Sequence, residues 1–95
     1  MGMAERIERK LSEALSPSRL SIQDDSEKHK GHGGYREGGE THFRVEIVAA
    51  GFAGETRVQR QRRVYEILSE ELAERVHALQ LVTLTPEEEA KRRDG

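Results

Sequence analysis

Apolar residues recur along this chain with two different periods. Ile7, Leu11, Ala14 and Leu15 follow helical spacing with Glu5, Arg6, Glu8, Arg9 and Lys10 between them, which predicts an amphipathic helix. Pro17 disfavours helical geometry at Ser16 and closes it. Leu20 and Ile22 then alternate with Ser21 and Gln23, a short strand ended by the turn residues Asp24, Asp25 and Ser26. In "THFRVEIVA" the alternation returns. Phe43, Val45 and Ile47 face the core, while His42, Arg44 and Glu46 face away, so His42 reads as a structural or surface residue.

"AAGFAG" breaks that strand. Thr56 and Gln59 have capping-box spacing, and Val64, Ile67, Leu68 and Leu72 give one long helix its buried stripe, with an end near Glu74 or Arg75. "HALQLVTL" is a third strand that starts at His77, with Leu79 and Leu81 inward and Gln80 outward. Thr85, Pro86 and Glu88 mark the start of a short helix over 86–93. Its acidic residues sit at the positive end of the dipole, with Lys91, Arg92 and Arg93 towards the other.

The order is therefore α-β-β-α-β-α. It predicts a small α/β (α+β) domain with a three-stranded mixed sheet and helices packed on one face. Strands one and two pair antiparallel; strands two and three form a βαβ unit and pair parallel with a right-handed crossover. Between the first two strands, residues 27–40 show no periodicity and hold Gly31, Gly33, Gly34, Gly38 and Gly39, as well as His29 and His32. A long loop in a small domain is a functional element, a disordered one or a simple connection. In a parallel pair both strands start at the same end of the sheet, so topology brings His77 towards the end where this loop arrives.

The length of 95 residues implies a single domain over 1–95, with a core from about 4 to 86 and one modest buried interior. Charged residues make up 36% of the chain and the net charge is -2, so any nucleic-acid site has to be local. There is no cysteine, hence no disulfide and no thiolate metal ligand. No window resembles a signal peptide or a membrane span, so a cytoplasmic protein is expected.

Candidate chemistry is confined to two residue types. His29 and His32 are two solvated loop residues or a His-x-x-His pair able to trap zinc or nickel. Arg57, Arg60, Arg62 and Arg63 crowd the start of the long helix, where cations oppose the dipole. They form an ordinary solvated face, or they meet nucleic-acid phosphates or an acidic partner. Gly51-Phe52-Ala53-Gly54 spells GxxG but follows a strand, unlike the KH clamp between two helices. No nucleophile, phosphate loop or carboxylate pair suggests an enzyme.

"DDSEKHKGHGG", "ETHFRVEIVAAGFAG", "VQRQRRVYEILSEEL" and "VHALQLVTLTPEE" together resemble the BolA family from the first helix to Pro86. The resemblance implies a fold related to the class II KH domain. It also implies partnership with a monothiol glutaredoxin of the Cys-Gly-Phe-Ser type, the two proteins sharing a bridging [2Fe-2S] cluster with glutathione. Alone, the chain would hold no cofactor and be a monomer or weak homodimer. The family's histidine before the last strand matches His77, and its loop ligand matches His29 by distance from the Asp-Asp-Ser turn, with His32 as the alternative. Imidazole can replace thiolate on one iron of such a centre, as in Rieske sites. Many members read Arg-His-Arg where this chain reads Arg60-Gln61-Arg62, so that histidine's role does not carry over. The family's other attributed role is DNA-binding transcriptional regulation, which would use the arginine cluster.

Overall fold

The structure, a computed structural model, describes residues 2–24, 42–74, 76 and 78–94. The elements run α1 (Met3–Leu15), β1 (Arg19–Asp24), β2 (His42–Val48), a 3-10 turn (Ala50–Phe52), α2 (Arg57–Ile67), α3 (Ser69–Glu74), β3 (Ala78–Leu84) and α4 (Pro86–Asp94). The expected α-β-β-α-β-α order holds, with the long helix divided in two. Leu68 leaves helical geometry at φ -99, ψ 18, and α3 restarts at Ser69. β3 starts at Ala78; His77 lies outside the described residues.

Local chemistry sets the boundaries. Ser16 adopts left-handed geometry, φ 44, and its N–H returns to the Ser12 carbonyl, closing α1 just before Pro17. Thr56 caps α2 with a full capping box: Gln59 N–H donates to Thr56 Oγ1 at 3.1 Å, and Thr56 N–H donates to Gln59 Oε1 at 2.8 Å. The same device opens α4, where Glu88 N–H donates to Thr85 Oγ1 and Thr85 N–H donates to Glu88 Oε1. Gly54, at φ 83, turns the chain from the 3-10 segment into α2 in a conformation that favours glycine.

Among the described residues the sheet has the order β1-β2-β3. β1 runs antiparallel to β2, from Arg19↔Val48 to Asp24↔Phe43; β3 runs parallel to β2, from His42↔Ala78 to Val48↔Leu84. Phe43, Val45 and Ile47 project onto one face and meet Ile7, Leu11 and Leu15 of α1, Val64 of α2, and Leu68 and Phe52. Each side chain buried in this core contributes about 1.5–3 kcal/mol. Ala14, expected in the stripe of α1, is exposed, and Met3 takes a place in the core instead. α1, α2 and α3 cover this face. α4 sits beside the end of β3 and reaches to both sides: Glu88 towards α2, Glu89 towards Arg19 on the opposite face.

Candidate functional site

The register defines two unlike ends of the sheet. At one, β1 starts and β2 and β3 finish, with Arg19, Val48 and Leu84 as neighbours. At the other, β1 finishes at Asp24 opposite Phe43, and β2 and β3 start together at His42 and Ala78. Asp24 and His42, the described residues on either side of 25–41, therefore both lie at this second end. The candidate ligands His29, His32 and His77 all lie outside the described residues. In the chain, His77 is the residue before Ala78, and His29 and His32 fall between Asp24 and His42. Among the described residues no group of three or more His, Asp or Glu side chains could hold a metal ion.

His42 shares its side of the sheet with Arg44 and Glu46, as the alternation predicts, yet it is buried. It starts the central strand, which has a neighbour on each side, so the surface reading is corrected and the structural one remains.

The four arginines divide. Arg60 is only 8% exposed, and its guanidinium is fully engaged. It donates to the Glu55 carbonyl (3.0 Å), the Thr83 carbonyl (3.0 Å) and Glu88 Oε1 (2.7 Å), and lies 5.7 Å above the Phe52 ring. It joins the start of α2, the end of β3 and the start of α4. The hydrogen bond from Arg60 pulls the Glu88 carboxyl down to about 2, with help from the Thr85 backbone. Arg63 pairs with Glu55 at 2.5 Å, and its guanidinium also lies over the Phe52 ring, 5.8 Å from the centroid. Two of the four candidates thus hold the fold together. Arg57 and Arg62 are exposed and form no ion pair among the described residues. The cue lay in the sequence: Arg60 precedes Val64 by one helical turn, on the buried side.

The acidic runs also divide. Most glutamates of such runs face solvent, but Glu71 is fully buried, one turn beyond Leu68 on the inward stripe. Arg6 reaches it at 2.8 Å and Lys10 at 2.9 Å, tying α1 to α3. Burial pushes its carboxyl upward, but the hydrogen bond from Lys10, with the Glu71 backbone and Arg6, brings it below the ordinary value.

The sequence profile described as "BolA-like protein" matches residues 11–88. The chain belongs to the BolA family. The BolA-family protein BOLA1, chloroplastic, of Arabidopsis thaliana is 47% identical over 87 residues, 90% of this chain; the match covers 54% of that relative, so the chain spans about half its length. The DNA-binding transcriptional regulator BolA of Escherichia coli is 42% identical over 88 residues, covering 93% of this chain and 80% of that one. The solved structure of BolA1 from Arabidopsis thaliana superposes with a TM-score of 0.83 at 42% identity, covering 93% of this chain and 96% of that one. This BolA-family chain therefore has the mixed α+β fold of its solved relatives. Among its described residues no helix is long and apolar enough to cross a membrane.

Proposed function

We propose that this chain is the partner of a monothiol glutaredoxin and shares a bridging [2Fe-2S] cluster with it and glutathione, in iron–sulfur trafficking or iron sensing. One observation carries the reading. The register brings Asp24 and His42, which flank residues 25–41 in the sequence, and Ala78 at the start of β3 to a single end of the sheet. Chain order puts His29 and His32 in that segment and His77 next to Ala78. The donor chemistry fits. A chain without cysteine cannot complete a cluster alone, but two imidazoles suit one iron while the partner and glutathione supply sulfur. When bound, the cluster would supply transferable iron and sulfide and the capacity to store one electron. His77 and His29, with His32 as the alternative, would hold the iron through neutral imidazole. Each has to lose its proton first, at about 6.5 when unperturbed, so sharing should weaken between about pH 7 and 5.5.

The test is reconstitution of the pair with iron, sulfide and glutathione, followed by visible circular dichroism. His29→Ala and His32→Ala are expected to differ, with His29→Ala the damaging one. Equal sharing by wild type and the His29→Ala/His32→Ala double variant would reject loop ligation.

A second reading, DNA-binding regulation, is favoured by the names of relatives such as the Escherichia coli regulator and by exposed Arg57 and Arg62. With Arg60 and Arg63 engaged internally, Arg57 and Arg62 are the two of the four arginines without an ion pair among the described residues that could meet phosphates. Affinity that falls steeply with salt would distinguish this reading from cluster sharing.

A further inference from the structure

α3 is a short helix with a charged anchor. It spans Ser69–Glu74, too short to keep helical geometry without tertiary contacts. Its buried residue is Glu71, with Leu72 partly buried beside it. Burial of a carboxylate is unfavourable unless it is paired and hydrogen-bonded. Here Arg6 donates to Glu71 Oε2 at 2.8 Å and Lys10 donates to Oε1 at 3.0 Å. The same two cations reach Glu74 and Glu70, so one turn of α1 is joined to α3 by charge. A buried ion pair adds little net stability over apolar side chains of similar volume. Stability alone therefore does not account for this cluster. The main chain of Glu71 points to another role. Its carbonyl accepts from Val76 N–H at 3.1 Å, and Val76 is buried in the core. Ala78 then opens β3 opposite His42. Val76 and Ala78 are the neighbours of His77 in the sequence.

We propose that Glu71 is a positioning residue for His77. Its carboxylate, held by both Arg6 and Lys10, fixes the rotation and height of α3 against α1. The carbonyl of the same residue fixes Val76, from which the chain continues to His77. Ion pairs and hydrogen bonds have direction, whereas apolar contacts let a short helix slide. The buried charge is kept here for conformational specificity. An iron ligand needs that specificity, because the groups that orient a ligand change metal affinity by about 10–100-fold. The inference rests on the proposed cluster sharing and deepens it. It makes Arg6 and Lys10 of α1 part of what sets the iron site.

The test replaces the charges by apolar bulk. Arg6→Met/Lys10→Met/Glu71→Leu leaves no buried charge without a partner, and its urea midpoint is expected to match or exceed that of wild type. In the isolated chain, hydrogen exchange at Val76 N–H is expected to quicken on the order of tenfold, while exchange at Val45 and Ile47 holds. In the reconstituted pair, the shared cluster is expected to be lost to a chelator on the order of tenfold faster, with an altered visible circular dichroism spectrum. Glu71→Gln keeps the shape and the carbonyl and removes the charge. It is expected to move both readouts the same way by less, and it decides the matter alone if the triple variant does not fold. Arg60→Ala is the control for stability: it lowers the urea midpoint and leaves the cluster spectrum and its rate of loss unchanged. An unchanged cluster or unchanged exchange at Val76 overturns the inference. So does a control that alters the cluster equally, since the effect is then one of stability. A wild-type pair that shares no cluster rejects the function reading itself, and the inference with it.

Discussion

The two ends of the sheet carry opposite chemistry. Where β2 and β3 finish, cations are consumed by structure: Arg60 binds Glu88 and two carbonyls, and Arg19 binds Glu46 and Glu89. These contacts weld α4 to the sheet and to α2. Where β2 and β3 start, His42 opens the central strand; in the sequence His77 is the residue before Ala78, and His29 and His32 fall between Asp24 and His42. An arginine keeps its charge at any accessible pH and suits a permanent clamp. A histidine can be a neutral ligand at pH 7 and a cation at pH 5.5, which suits a site that binds and releases. In the proposed function one end serves stability and the other exchange, and substitutions should separate the two roles.

The largest separation is expected from His77→Ala. It should abolish the mixed cluster with the glutaredoxin while the melting temperature of the isolated chain moves little, as read by visible and far-ultraviolet circular dichroism. Arg60→Ala should do the reverse. It leaves the Thr83 and Glu55 carbonyls without their donor and Glu88 without its partner, a loss of about 2–3 kcal/mol by urea unfolding. Cluster sharing at low temperature should survive.

A smaller effect comes from acid. Glu88 is held at about 2 in the folded chain against 4.5 ordinarily. A depressed carboxyl stabilises the fold fully above its unfolded value, and that contribution fades as pH falls from about 4.5 towards about 2. Thermal melts across this window should decline less steeply for Glu88→Gln than for wild type. The smallest expected effect is at the exposed arginines. If DNA is bound, Arg57→Glu with Arg62→Glu should lower the salt slope by about two. Cluster sharing should be unaffected; equal loss of both activities would place these arginines at the protein interface.

Most of the fold was legible from periodicity and caps. Both capping boxes, the Pro17 stop and the alternation of β2 are local signals, and the antiparallel and parallel pairings follow from connection lengths. The break at Leu68 was not legible, because the apolar stripe of Val64, Ile67, Leu68 and Leu72 runs through it without interruption. Residue type misled where charge was buried. Arg60 and Glu71 look like solvated positions until partners far along the chain, Glu88 for one and Arg6 with Lys10 for the other, are brought beside them. The candidate ligands came from family resemblance and topology, and the paired strand ends at Asp24, His42 and Ala78 supply the frame for them.

The central claim is imidazole ligation by this chain. It is tested most directly by pulsed electron paramagnetic resonance of the reduced, reconstituted pair, with this chain labelled with nitrogen-15 at histidine. The account predicts strongly coupled nitrogen-15 on the cluster, reduced by His77→Ala and by one of the two loop substitutions. A cluster whose spectrum shows only sulfur coordination, with no coupling to the labelled histidines, would contradict it.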